Sequence, residues 1–373
     1  MNQKRQFFPI SLHHLEPNEG YPFDLYAVIE NRYVLIRPKG SSFSAEKILQ
    51  FMEKKHNKLF IPLSQRNAWN GYLSQRILKS DTSSQEKAMA IKETAWNHVA
   101  DLYTNENLRS VVQDCHGLVS TMIDFISSDE TGLFNLLRLS AHDHYTYNHS
   151  LNVAIYAIAL AQRIFPGDDE MIFKAGLGGL LHDIGKRNVD PKIINKPGKL
   201  TEKEWEIMKK HPAWGKSFLV DALGKPITPS SVSEKLEGTS ETQPNTNSVP
   251  VSILDGLEEL PPEVISVVYQ HHESCDGSGY PENASKEEIS ALAKIGALAD
   301  VYDALTTDRS YSKARRPQEA IELMVDKMAH RFDPEMFGLF KKAFSSKKAE
   351  EAFEETTTEK VLEEKLKKLA KAS

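Results

Sequence analysis

The sequence predicts a mainly α-helical protein that carries a small α+β module at its N-terminus. From about residue 84 to residue 345, apolar residues recur at spacings of three and four, the period of a helix with one buried face. The stretch before residue 80 instead holds short β-branched runs separated by turn residues. A chain of 373 residues is long enough to divide into two or three units, each with a core of its own.

The elements follow in order. In residues 23–62, apolar runs at 25–29 and 33–36 flank the turn-like Glu30-Asn31-Arg32, which predicts a hairpin. A helical pattern with Ile48, Leu49 and Met52 starts at Ser44, and a further short strand is expected near 59–62. Residues 1–80 are therefore assigned to the α+β module, with a regulatory role expected for it. His13-His14 within it reads as a mobile surface pair.

Residues 81–345 form the helical domain. Val111, Val112, Leu118, Met122, Ile123, Phe125 and Ile126 mark one of its apolar stripes. Thr201 followed by Glu204 is a capping box and places a helix start at Thr201. Residues 224–251 are rich in Ser, Thr, Pro, Gly and Asn, bury too little apolar surface to offset ordering, and read as a mobile inserted loop. The charged residues 346–373, with sparse apolar Phe353, Val361, Leu362, Leu366 and Leu369, read as a solvated helix or tail.

Composition narrows the function. A net charge of −6 argues against a protein that coats nucleic acid, although a local cationic site for a small anion remains compatible with it. Two distant cysteines, Cys115 and Cys275, make no disulfide framework and no Cys-x-x-Cys pair, so any metal site must use histidine and carboxylate. The basic start lacks an apolar signal core, and no window approaches about 18 uninterrupted apolar residues. A cytoplasmic protein without a membrane span is expected.

Histidines and acids punctuate the helical region. "GLLHDIGK" carries His182-Asp183, "HDHYTYNHSLNVAIYA" carries His149, "MKKHPAWG" carries His211, "VVYQHHESCDGSGYP" carries His271 and His272, and "IGALADVYDALTTDRSY" carries Asp300 and Asp303. Each alone has an ordinary explanation as a capping, core or half-exposed residue. Together, five histidines and a pair of helical aspartates sit near helix ends or beside apolar stripes that must share a core. Burying them uncompensated would cost several kcal/mol, and bound cations are the simplest compensation. Imidazole with carboxylate and no thiolate suits iron, manganese or zinc in a hydrolytic centre. A carboxylate such as Asp183 can bridge two ions about 3.5–4 Å apart, a spacing suited to phosphoryl transfer.

The order His149, His182-Asp183, His211, His271-His272, Asp300 resembles the metal-dependent HD superfamily, and "HHESCDGSGYP" is similar to the signature of its HD-GYP subfamily. "INKPGKLTEKEWEIMKKHP" and "ADVYDALTTDRSY" resemble further blocks of that subfamily, so the resemblance covers about residues 130–340. It implies an all-helical HD-type bundle and a phosphodiesterase acting on the bacterial second messenger cyclic di-GMP. It implies two divalent metal ions, iron or manganese with zinc as an alternative. His149, His182, Asp183 and Asp300 would hold one, and Asp183, His211, His271 and His272 the other. Lys186 would offer its ammonium to a phosphate oxygen or the leaving group, and Arg309 would bind the other phosphate. Gly277, Gly279, Tyr280 and Pro281 would form the turn lining the substrate mouth, with the tyrosine against a nucleotide.

Several positions depart from the subfamily's pattern. Tyr145 stands where some members place a carboxylate for a third metal, so two metals are expected at this centre. Asn283-Ala284 replace a usual Gly-Leu after Gly-Tyr-Pro, and Ser310 and Ser312 replace a proline and a basic residue. The interval between His211 and His271 is unusually long and contains the polar insertion. The leading expectation is hydrolysis of cyclic di-GMP to pGpG, and onward to GMP. The alternatives are a weakly active or inactive cyclic dinucleotide-binding signalling module and an HD phosphohydrolase for another phosphate ester. A protein partner at the Gly-Tyr-Pro surface or the N-terminal module, and a homodimer, are left open.

Overall fold

The computed structural model describes residues 7–53, 58–105, 107–129, 131–140, 146–223, 260–308, 313–345 and 367. The inserted loop at 224–251, the C-terminal segment apart from Lys367, Tyr145, Arg309, Ser310 and Ser312 all lie outside these residues.

Four antiparallel strands, β1 (Phe7–Ser11), β2 (Leu25–Ile29), β3 (Arg32–Arg37) and β4 (Lys58–Pro62), form one sheet in the order β1-β4-β2-β3. The expected hairpin is β2–β3. Its two-residue turn holds Glu30 at φ 48° and Asn31 at φ 61°, the left-handed pair that matches the twist of the flanking strands. Helix α1 (Ala45–Glu53) starts after Ser44, whose hydroxyl accepts from Lys47 N at 3.2 Å. Strand β1 was not expected, because Pro9 removes a ladder donor. At the sheet edge that loss is tolerated.

The sheet and helix α2 (Arg66–Leu78) enclose an aromatic core of Tyr21, Phe23, Phe43, Trp69 and Tyr72. The expectation of a mobile His13-His14 surface pair is not met. Leu12 and Leu15, both fully buried, draw the turn between them inward, and His14 is 4% exposed with Trp69 at 6.0 Å.

The helical region is built from α3 (Ser84–Thr104), α4 (Leu108–Ser128), α5 (Gly132–Ser140), α6 (Thr146–Ile164) and α7 (Asp169–Leu181). It continues through α8 (Pro191–Ile194), α9 (Glu202–Met208), α10 (His211–Leu223) and α11 (Pro262–Gln270). It ends with α12 (Ala291–Thr306), α13 (Pro317–Met328) and α14 (Pro334–Phe344). Helix α6 is the hub. Its residues from Leu151 to Ala161 are buried without a break, so it is apolar on every side, and α3, α5, α7, α12 and α14 pack around it. The capping box forms as expected: Thr201 Oγ1 accepts from Glu204 N at 3.3 Å, and the Glu204 carboxylate accepts from Thr201 N at 2.7 Å. Among the described residues no helix is long and apolar enough to cross a membrane.

Candidate metal centre

The candidate ligands come from five helices, most of them at helix ends, and the hub brings them together. His149 projects from α6; His182 and Asp183 follow the last turn of α7; His211 opens α10; His271 and His272 follow α11; Asp300 lies on α12. His182, Asp183, His211 and His271 are each no more than 2% exposed.

The Asp183 carboxylate stands in the middle and divides its oxygens. Its Oδ2 faces His182 Nε2 at 3.4 Å and His149 Nε2 at 3.6 Å. Its Oδ1 faces His211 Nε2 at 3.3 Å and His271 Nε2 at 3.9 Å. One ligand atom each from His149, His182 and Asp183 lie within 4.8 Å of one another, and the same holds for Asp183, His211, His271 and His272. Asp300 serves both groups. Its Oδ1 is 3.1 Å from His149 Nε2 and its Oδ2 is 3.7 Å from His272 Nδ1.

The outer nitrogens fix which ring atom is bare. Nδ1 of His182 donates to Gly179 O at 2.7 Å, that of His211 to Met208 O at 2.7 Å, and that of His271 to Val268 O at 3.0 Å. Because a carbonyl only accepts, Nδ1 carries a proton, and Nε2 is the ring atom that each of these histidines turns inward to a metal. Two such atoms, on His211 and His271, meet at 3.2 Å, and His149 and His182 bring their Nε2 atoms equally close. Facing lone pairs repel unless a cation lies between them. Asp183 Oδ1, buried and without a hydrogen-bond donor among the described residues, has the same need. The cluster is thus able to hold a divalent metal.

Electrostatics agree with that chemistry. Burial pushes His272 down to about 3 and His271 well below the ordinary imidazole value, so both are neutral, as metal ligation requires. Burial alone would raise the Asp183 carboxyl, but with the Lys186 ammonium beside it the group is held well below the carboxylate range. Burial likewise opposes charge on His149. There Asp300 and Asp303 prevail and raise the ring to about 9, so in the absence of metal a proton occupies the nitrogen that a metal would take.

Lys186 sits in the 3-10 turn Ile184–Asn188, its Nζ 2.5 Å from Asp183 Oδ2. A Cβ on the adjacent Gly185 would fall 1.8 Å from His211 O, so only glycine lets this turn meet α10. The Gly-Tyr-Pro segment is built as a fixed loop. Glu273, 4% exposed, accepts from Glu282 N at 2.6 Å and Ala284 N at 2.9 Å, while a Cβ on Gly279 would lie 2.4 Å from Glu273 Cα. Asn283 takes φ 55° and its side chain donates to Gly279 O at 2.5 Å, so the asparagine supplies the left-handed conformation a glycine would supply there. Tyr280 stacks on the His272 ring with centroids 4.7 Å apart. The sequence expectation set it against a nucleotide; in the structure it also buttresses a candidate ligand.

Four contributors were given no individual role from the sequence, Asp303 among them although it was noted beside Asp300. Asp303 Oδ2 accepts from His149 Nδ1 at 2.6 Å, and its Oδ1 accepts from Asn152 Nδ2 at 2.6 Å. The helical spacing of Asp300 and Asp303 was the available signal, since positions three apart share a helix face. Glu273 is the second, adjacent to the His pair. Tyr103 of α3 is the third, donating its hydroxyl to Asp183 O at 3.3 Å. Trp205 of α9 is the fourth: it is 45% exposed, with its ring edge-on to Tyr280 at 6.0 Å.

Residues 219–336 match the HD domain family model. The chain carries an HD domain there, and the His-Asp centre and the Gly-Tyr-Pro loop resemble the HD-GYP type. It is 36% identical over 250 residues to a cyclic di-GMP phosphodiesterase of Pseudomonas aeruginosa, covering 66% of this chain and 51% of that protein. It is 30% identical over 207 residues to a 3′3′-cGAMP-specific phosphodiesterase of Vibrio cholerae, covering 56% of this chain and 37% of that one. The chain therefore spans about half the length or less of these relatives. A solved HDG"Y"P protein from Bdellovibrio bacteriovorus shares the fold at a TM-score of 0.61 and 20% identity, over 91% of this chain and 100% of that chain. The HD family match begins beyond His149, His182, Asp183 and His211, so four of the seven candidate ligands lie outside it.

Proposed function

We propose that this HD-GYP chain is a metal-dependent phosphodiesterase that hydrolyses cyclic di-GMP to pGpG, and onward to GMP. The observation that carries the proposal is the division of the Asp183 carboxylate between two sets of inward-facing histidine Nε2 atoms. His149, His182, Asp183 and Asp300 would hold one ion, and Asp183, His211, His271 and His272 the other. Iron and manganese suit the donor set, and zinc is an alternative. Divalent ions held there supply Lewis acidity that activates water at neutral pH and neutralises charge on the reacting phosphate.

The chain's own groups do the rest. The Asp303 carboxylate keeps the His149 proton on Nδ1, leaving Nε2 free for ligation. The Lys186 ammonium, held beside Asp183, reaches a phosphate oxygen as charge accumulates there. Arg309 is assigned to the other phosphate. Tyr280 and Trp205 form an aromatic corner against which a base can lie, while Gly279 and Pro281 let the loop approach the sugar-phosphate closely. The names of the relatives point to cyclic dinucleotides as a class, cyclic di-GMP and 3′3′-cGAMP both among them.

The test is metal analysis of anaerobically purified protein, followed by turnover of each dinucleotide with ferrous iron or manganese. Products are resolved chromatographically. Formation of pGpG or GMP is expected; a metal-replete chain that binds cyclic di-GMP and releases neither product would make it a receptor instead.

A further inference from the structure

Among the described residues, a second group of potential ligands lies outside the HD centre. His13, His14 and Glu93 each offer one atom, all within 4.8 Å of one another. His13 and His14 form the end of the 3-10 turn Leu12–His14 that follows β1, and Glu93 faces them from α3. His14 Nε2 is 3.7 Å from Glu93 Oε2. In a tetrahedral site with bonds of about 2.0–2.1 Å, neighbouring ligand atoms stand about 3.4 Å apart, so only a few tenths of an ångström separate this pair from ligation.

The two histidines repeat the arrangement at the HD centre. Their ring centroids are 4.2 Å apart with planes tilted by 50°, against 4.1 Å and 45° for the consecutive pair His271-His272. The surroundings hold the ligands in place. Ser11 Oγ donates to Glu93 Oε2 at 2.8 Å and Ser11 N to Oε1 at 3.3 Å, which orients the carboxylate. Trp69 meets the His14 ring edge-on at 6.0 Å.

We infer that His13, His14 and Glu93 bind a divalent transition metal ion, which clamps the N-terminal sheet module to α3. Two imidazoles and one carboxylate leave a fourth position for water or a further ligand, the donor set of zinc, cobalt(II) or manganese. The ion fastens the helix whose last turn carries Tyr103, the residue that donates to the Asp183 backbone. The site does not depend on what the HD centre hydrolyses.

The experiment uses the full chain with Asp183→Ala and His211→Ala, which silence the central cluster, titrated with cobalt(II) or zinc alone. One ion per chain is expected, with the visible bands of four-coordinate cobalt(II). His13→Ala and Glu93→Gln should each remove it, and Ser11→Ala should weaken it by about 10–100-fold, as loss of a group orienting a ligand does. His13 is only half-buried, so its replacement leaves the core intact, and circular dichroism verifies that. Metal content compared between the wild-type chain and His13→Ala gives a second readout that does not need the silenced background; it should fall by one ion. No bound ion in the titration, or an ion that His13→Ala and Glu93→Gln leave in place, overturns the inference.

Discussion

Asp303 illustrates how a residue can govern a metal centre without touching metal. Its carboxylate is held by Asn152 and by Thr307 Oγ1, and it fixes the tautomer of His149. Asp303→Asn should therefore weaken metal affinity by about 10–100-fold while excess metal restores most of the turnover. A metal-activation curve measures this; an unchanged curve would remove Asp303 from the centre. Lys186→Ala should behave oppositely, retaining the metals and lowering kcat by roughly 10²-fold, the scale of losing one donor to a developing charge. Metal content and saturated turnover, measured on the same sample, separate the two cases. The ligand types were legible in the sequence because histidine and carboxylate recur at helix ends. The role of Asp303 was not, because its partner His149 lies 154 residues away and only the packing of α12 on α6 joins them.

At the scale of elements, local chemistry was readable where neighbours in sequence decide the structure. The β2–β3 turn and the Thr201 capping box are such cases, each fixed within four residues. Strand β1 was not readable, since Pro9 speaks against a strand and only its place at the sheet edge permits one. The Gly-Tyr-Pro loop shows the same limit. Its shape rests on the buried Glu273 carboxylate and on the approach of Gly279 to the Glu273 backbone. Gly279→Ala should displace the loop, move Tyr280 off His272, and destabilise the chain by about 1–3 kcal/mol, as overpacking does. Thermal unfolding with metal content tests it; an unaltered melting curve would show that the loop yields freely. Trp205→Ala on α9 should instead leave stability and metal content unchanged and raise KM about tenfold, within the range of about 1–3 kcal/mol for stacking on one base. A raised KM with kcat preserved assigns Trp205 to base binding; a change in kcat alone would exclude that assignment.

For the whole molecule, the ends of α6, α7, α10 and α11 and the middle of α12 converge on one point. That convergence could not be read from periodicity, which reports the face of each helix and not its neighbours. The resemblance to the HD-GYP pattern placed the residues in order, and the hub helix α6 explains why they meet. The convergence has an energetic consequence. His182, Asp183, His211 and His271 lie in the protein interior, where uncompensated polar groups are costly and ring nitrogens face one another. Metal binding is then coupled to folding, and chelation should lower the melting temperature. An ion at about a thousand times its Kd contributes about 4 kcal/mol to the folded state. For a chain of 373 residues, with an unfolding entropy of about 2.1 cal/mol/K per residue, each kcal/mol corresponds to roughly 1.3 °C, so an occupied site should add about 5 °C. Scanning calorimetry with chelator against a manganese titration measures the shift. Asp183→Ala should abolish the part that belongs to the HD centre and leave the increment from His13, His14 and Glu93. A melting temperature indifferent to metal in the wild-type chain would mean that the histidine cluster is stabilised by protons alone, and the metal reading of the centre would fall with it.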